Sequence, residues 1–281
     1  MLNLPPDRRA GLALIAALGL ALAGCNSMGL PDPSSARVAE IEPDATGASS
    51  VNIASLSDVI ARNPNDPAAY NTRGAAYAKI GRFSNAIDDF SKAVQLDPTF
   101  AAAYTNRALA YRQINKDGPA LADFNAAIVA NPNHAAAYLG RANLLRAQGN
   151  LPDALADLNT AIRLNPEGAQ AFHARGLIYQ RQGNQAQAIT DFNNAIDRDP
   201  FAGAPYQARG QSLIITGKYD AAIEDFNAAL NVDSSNADAW AGLGIAYEKQ
   251  GNKAKAKESY ERAMQVNPSN PLARAGLQRL G

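Results

Sequence analysis

Nucleophilic and acid–base catalysis needs an imidazole, a thiol or a poised carboxylate within hydrogen-bond reach of its partner. This chain offers His134, His173 and a single Cys, Cys25. His134 follows Pro132-Asn133 at a turn and reads as a solvated surface residue. His173 reads as a polar contact residue rather than a base. The acidic side chains recur periodically or flank Lys and Arg, so none stands out as the isolated carboxylate pair of a glycoside hydrolase. Walker, dinucleotide-binding and zincin motifs are absent from the sequence. Zinc sites, iron–sulfur clusters and disulfides need more Cys and His than are present. The reading is a non-enzyme without metal or cofactor. With 26 Lys plus Arg against 26 Asp plus Glu, the chain also lacks a general electrostatic drive toward nucleic acid.

Arginine and aspartate carry a more telling pattern. Arg73, Arg107, Arg141, Arg175 and Arg209 recur every 34 residues, and Asp89, Asp123, Asp157, Asp191 and Asp225 follow them at a constant offset. One period further on, both change together, to Leu243 and Ser259. Joint gain and loss predicts contact between the two positions, where guanidinium and carboxylate can pair bidentately. A ladder for polyanions is the functional alternative, but the matched Asp row cancels its charge, so the expected role is structural.

The elements that position these rows share the same period. Pro64, Pro98, Pro132, Pro166, Pro200 and Pro268 are separated by 34 residues or, across Ser234, by twice that. Six units span 67–100, 101–134, 135–168, 169–202, 203–236 and 237–270. The fourth residue of a unit is aromatic (Tyr70 to Trp240), the eighth is Gly or Ala, and the twentieth and twenty-seventh are Ala throughout. The twenty-fourth is Phe90, Phe124, Leu158, Phe192, Phe226 or Tyr260. These spacings give two apolar helical stripes per unit. The fifteenth residue is Gly or, in one unit, Asn115, the types that accept a left-handed turn between helices.

The pattern resembles the tetratricopeptide repeat family over 67–270. The expected fold is therefore all-α, a right-handed superhelical solenoid of six helix-turn-helix repeats. An N-terminal half-repeat at 51–66 and a capping helix at 271–281 complete it. Neither helix of a unit buries its stripe alone, so stability comes from stacking.

The first 24 residues have the build of a signal peptide. Arg8 and Arg9 precede an uncharged apolar run from Ala10 to Ala23, too short to span a bilayer. It ends in Leu22-Ala23-Gly24-Cys25, which resembles the lipobox of bacterial lipoproteins, with cleavage before an acylated Cys25. The alternative is an ordinary signal peptide whose cleavage site contains a Cys. Two or three acyl chains anchor a protein firmly to a membrane. Asn26 in place of Asp implies, by that resemblance, the periplasmic leaflet of the outer membrane, with the inner membrane as the alternative. Residues 25–50 are rich in Ser, Pro, Gly and Ala with four acidic residues, and read as a disordered tether.

Resemblance to tetratricopeptide proteins further implies a partner-binding groove lined by the first helix of each unit. Its positions here are Asn71, Thr105, Arg112, Asn143, Arg146, His173, Leu177, Arg181, Gln207 and Gln211. The Lys and Asn set with which some members clamp a C-terminal carboxylate is missing. Lipobox, tether and array together resemble the NlpI type of outer-membrane lipoprotein, implying a scaffold for peptidoglycan hydrolases or proteases of the cell envelope. The alternative is an assembly factor, like the pilotins of secretion and type IV pilus machines. The terminal segments 51–65 and 272–280 are candidates for homodimer contacts.

Overall fold

The computed structural model describes residues 48–281, with side chains from Ile53 onward. Cys25, the segment 1–24 and all but the last three residues of 25–50 lie outside the described residues. The described chain is all-α, with fourteen helices. Helix α1 (Ala48–Arg62) precedes six helical hairpins: α2 (Pro67–Lys79) with α3 (Phe83–Leu96), α4 (Ala101–Gln113) with α5 (Asp117–Ala130), and α6 (Ala135–Ala147) with α7 (Leu151–Leu164). Then come α8 (Ala169–Arg181) with α9 (Gln185–Arg198), α10 (Gly203–Ile215) with α11 (Tyr219–Val232), and α12 (Ala237–Lys249) with α13 (Lys253–Val266). Helix α14 (Pro271–Leu280) closes the array. Helix α1 starts at Ala48, three residues inside the stretch expected to be tether, because Ala48, Ser49 and Ser50 extend its first turn. Among the described residues no helix is long and apolar enough to cross a membrane.

Each turn follows from its residues. At the fifteenth position Gly81, Gly149, Gly183, Gly217 and Gly251 take φ between 75° and 82°, and Asn115 takes 57°. Only Gly and Asn adopt this left-handed region cheaply, so it ends one helix and launches the next. Between hairpins, Asp97, Asn131, Asp199, Asp233 and Asn267 each accept a hydrogen bond from the backbone two residues on, at 2.8 to 3.2 Å. Such Asx turns fold the chain between units, at Pro98, Pro132, Pro200 and Pro268, which lack the donor needed to continue a helix, and at Ser234.

The core runs lengthwise as one repeated contact. Phe90, Phe124, Leu158, Phe192, Phe226 and Tyr260 are all essentially without solvent exposure. Each aromatic ring presses on a small residue of its own hairpin, and Phe124, Phe226 and Tyr260 press also on a glycine of the next element. A Cβ on Gly244 would lie 2.6 Å from the Tyr260 ring, and one on Gly276 would lie 2.3 Å from it. Phe226 is gripped the same way, 3.0 Å from a Cβ on Gly210 and 2.4 Å from one on Gly242. Helix axes approach this closely only where side chains are minimal, and each buried ring then contributes about 2 to 3 kcal/mol of hydrophobic stabilisation.

First helices touch successive first helices all along the array, from α2 against α4 to α12 against α14, whereas no second helix touches another second helix. The stack therefore curves with α2, α4, α6, α8, α10 and α12 on its inner face. This is the superhelical solenoid that the 34-residue period predicts.

Candidate partner-binding groove

The Arg and Asp rows meet as their coupled change predicts. Arg73, Arg107, Arg141, Arg175 and Arg209 each donate from Nε and Nη2 to the two carboxylate oxygens of Asp89, Asp123, Asp157, Asp191 and Asp225, at 2.6 to 2.8 Å. These hydrogen bonds hold each guanidinium above its ordinary pKa, against the opposing pull of burial. The third nitrogen does work the sequence reading missed. Nη1 donates to Ser57, Ser91, Asn125, Asn159 or Asn193 of the preceding unit, at 2.7 to 3.0 Å. These acceptors are the Ser or Asn at the twenty-fifth register position. Each guanidinium also lies 5.6 to 5.8 Å from the centroid of its unit's fourth-position ring. Such a saturated Arg joins two units and has little left for a ligand.

In the sixth unit Leu243 belongs to an apolar cluster with Leu213, Phe226 and Leu230. Ser259 donates instead to the Lys255 carbonyl at 2.9 Å. An apolar contact has replaced the ion pair, an exchange that interiors tolerate. The end of the array is fastened differently. Arg279 of α14 donates to both carboxylate oxygens of Glu248 on α12, at 2.8 and 2.9 Å, and Tyr260 donates to the same group at 2.6 Å. The Arg279 hydrogen bond, against some burial, pulls the Glu248 carboxyl down to about 2.

On the inner face the expected groove residues divide. Asn143, Arg146, His173 and Leu177 lie half-buried on the adjoining helices α6 and α8, with Arg112 on α4 beside them and Arg181 and Gln211 exposed. Asn71 and Gln207 are engaged between units. Asn71 accepts from Asn106 at 3.0 Å, and Gln207 accepts from Asn236 at 2.7 Å. Thr105 is a correction: it is fully buried, and its hydroxyl donates to the Ala101 carbonyl at 3.0 Å. The fifth position lies at the seam between first helices, as the Asn71 to Asn106 bond shows, so its exposure depends on how tightly that seam closes. Where it closes, a hydroxyl satisfies itself within its own helix.

His134 is the second correction. Expected in solvent, it is only 9% exposed at the start of α6, and its Nε2 is buried without a hydrogen-bond partner. Burial pushes its imidazole below the ordinary range. His173 packs against the Phe192 ring, centroids 5.9 Å apart. Burial first, and Arg146 second, push His173 down to about 4, so it is neutral near pH 7. Among the described residues no three His, Cys, Asp or Glu side chains come together as a metal site would require.

Comparison with known proteins bears on the repeat fold. Profiles described as tetratricopeptide repeat match residues 67–100, 237–270 and 169–202, and a profile described as TPR repeat matches 142–183 and 210–251, together more than half of the chain. The chain is a tetratricopeptide repeat (TPR) protein. No curated protein sequence matches it significantly. Among solved structures, the TPR array is similar to the APC/C hetero-tetramer Cut9-Hcn1 at TM-score 0.72 and 20% identity, covering 80% of this chain and 45% of the other. The present chain thus spans less than half the length of that relative. It is also similar to Pseudomonas aeruginosa PilF, at TM-score 0.70 and 18% identity, covering 78% of this chain and 99% of the other. PilW, described as a widely conserved type IV pilus biogenesis factor, follows at TM-score 0.67 and 17% identity, with 75% and 98% covered. At these identities the likeness is one of fold.

Proposed function

We propose that this TPR protein is a non-catalytic, lipid-anchored adaptor that faces the bacterial periplasm and holds envelope proteins on its inner face. The observation that carries the binding part is the contrast between two sets of polar residues. The Arg and Asp rows are spent on holding the array together, whereas Asn143, Arg146 and Arg181 lie on the inner face and take part in none of those ion pairs. Solenoids present extended inner surfaces of this kind to peptides and partner domains. The envelope part is supported by Leu22-Ala23-Gly24-Cys25 at the end of an uncharged apolar run. Acylation there would tie the array to the periplasmic leaflet, with Asn26 favouring the outer membrane. In this reading the partners are peptidoglycan hydrolases or proteases, as in the NlpI type of lipoprotein.

A second reading, an assembly factor for a secretion or pilus machine, draws on the likeness to PilW and PilF over nearly their whole lengths. Two experiments test the anchor and then separate these readings. Replacing Cys25 with Ser should leave an unprocessed precursor that no longer fractionates with the outer membrane; unchanged fractionation contradicts the anchor. Affinity capture of the intact protein after in-cell crosslinking should yield cell-wall hydrolases or a protease, lost in an Arg146→Glu, Arg181→Glu variant. Recovery of secretin or pilus components instead supports the second reading.

A further inference from the structure

The arginines of the ion-paired rows are satisfied, whereas two half-buried arginines on the inner face take part in no such pair. Arg112 and Arg146 occupy the same register position, the twelfth, on α4 and α6, helices that touch one another. Both are half-buried, yet neither takes part in an ion pair of the kind found along the Arg and Asp rows. The Nε of Arg146 is sequestered from solvent with no hydrogen-bond partner. Burial acts first on Arg112 and lowers its pKa, with Asp117 opposing and the charge of Arg146 adding to the reduction. The two guanidiniums therefore feel each other, and Asp117 is the carboxylate in range of Arg112. Desolvating like charges side by side is costly unless an anion completes them. A fold that satisfies the arginines of the ion-paired rows so fully leaves an orphaned nitrogen, the Nε of Arg146, in this pair.

Resting on the inner-face reading above, we propose that Arg112 and Arg146 form a twin-guanidinium site for a partner-protein segment bearing adjacent Asp or Glu side chains. Each guanidinium is a planar fork that matches a carboxylate bidentately. From that site the segment continues over Asn143, whose amide can meet its backbone, to Leu177 and neutral His173, which suit apolar side chains. Ile215, 65% exposed at the end of α10, extends the apolar stretch. The occupant is thus an acidic segment with interspersed apolar residues, recognised by charge at one end and by burial at the other. The residues that carry the anion lie at the C-terminal ends of first helices.

The test is fluorescence anisotropy with the full chain in detergent. One probe is an acetylated, C-terminally amidated peptide alternating Glu and Asp with Leu; the other has Gln and Asn in place of the acids. The acidic probe is expected to bind about tenfold or more tightly than its neutral isostere, a margin set by two charge-assisted contacts. An Arg112→Gln, Arg146→Gln variant with an unchanged circular dichroism spectrum should lose about that factor, whereas Arg82→Gln, Arg163→Gln, both exposed sites, should not. Equal binding of the two probes, or binding indifferent to the Arg112 and Arg146 changes, overturns the site. If a neutral probe with a free C-terminal carboxylate binds as well as the acidic one, a chain end and not acidic side chains is the ligand. If Glu40→Gln, Glu42→Gln, Asp44→Asn in this chain tightens probe binding tenfold, the occupant is the chain's own acidic stretch, which also contradicts a partner segment. An Asn143→Trp variant separates the two levels of argument. Loss of binding there, with the double Arg variant unaffected, removes the anion site but keeps the groove, whereas indifference to both removes the groove itself.

Discussion

Among the residues, Arg141 shows how much one side chain does. Its side chain is 24% exposed and that of Asp157 9%, so the pair sits at the edge of the interior, where a stranded carboxylate is expensive but not beyond the reach of water. Arg141→Ala is expected to cost about 2 to 4 kcal/mol, because it strands Asp157 and also frees Asn125. Arg141→Ala with Asp157→Ala should cost less than the sum of the two single changes by at least about 1 kcal/mol, as coupled neighbours do. Urea unfolding of the four proteins checks this, and additive losses would deny the coupling. The pair was legible because Leu243 and Ser259 change together. The link to Asn125 was not, because Ser and Asn at the twenty-fifth position look like ordinary surface residues until the neighbouring unit is in place.

His173 makes a second prediction of this kind. Its folded-state pKa, about 4 against an ordinary 6.5, means that the unfolded chain binds the proton first. Stability is therefore whole above about pH 6.5 and falls as pH drops toward 4, by about 2 to 3 kcal/mol from this residue. His134 shifts in the same direction through burial. Glu248, depressed from 4.5 to about 2, works lower, its contribution lost as pH falls through that range. Comparing urea unfolding at pH 7 and pH 4.5 should show a smaller acid loss for His173→Gln than for the parent, and an identical loss would exclude His173 as a source. Neither histidine's burial was legible. Periodicity places a side chain on a face but does not say how tightly the next unit closes over it.

Helix pairing is where the sequence was most informative. Apolar residues at the fourth, eighth, twentieth, twenty-fourth and twenty-seventh positions name both faces of each hairpin, and the left-handed residue between them fixes the break. Less visible was the sixth position, where Gly140, Ala174, Ala208, Gly242 and Gly276 recur. The nearest atom to a Cβ on Gly140 would be in the Phe124 ring, at 2.3 Å. A ring that is gripped by two units cannot be read from either unit alone. Gly242→Ala therefore should destabilise by about 1 to 2 kcal/mol, the overpacking against Phe226 exceeding the roughly 1 kcal/mol that Ala gains in a helix. A thermal melt of this variant checks it, and a raised melting temperature would show that the contact has slack. Boundaries were less legible than faces. Helix α1 reaches back to Ala48 because Ala and Ser neither break a helix nor announce one.

As a whole, the described array is a line of hairpins whose neighbours supply one another's cores, so the inner face exists only as an assembled surface. This explains which parts of the candidate site the sequence could indicate. Arg146, His173 and Leu177 were placed by register, and they do gather there. Thr105 shared their register and is buried. Register says which side a residue is on, and only the stack says whether that side is open. The account's central claim is that this open side is where partners bind.

Position-specific photocrosslinking in living cells tests that claim most directly. A photoreactive residue is placed in turn at Asn143, Leu177 and Gln211 on the inner face, and at Gln187 and Thr190 on the outer helix α9. The account predicts one or more discrete adducts from the inner positions and none from the outer ones. Adducts confined to Gln187 and Thr190 would contradict it, and would move the working surface of this protein to the back of the array.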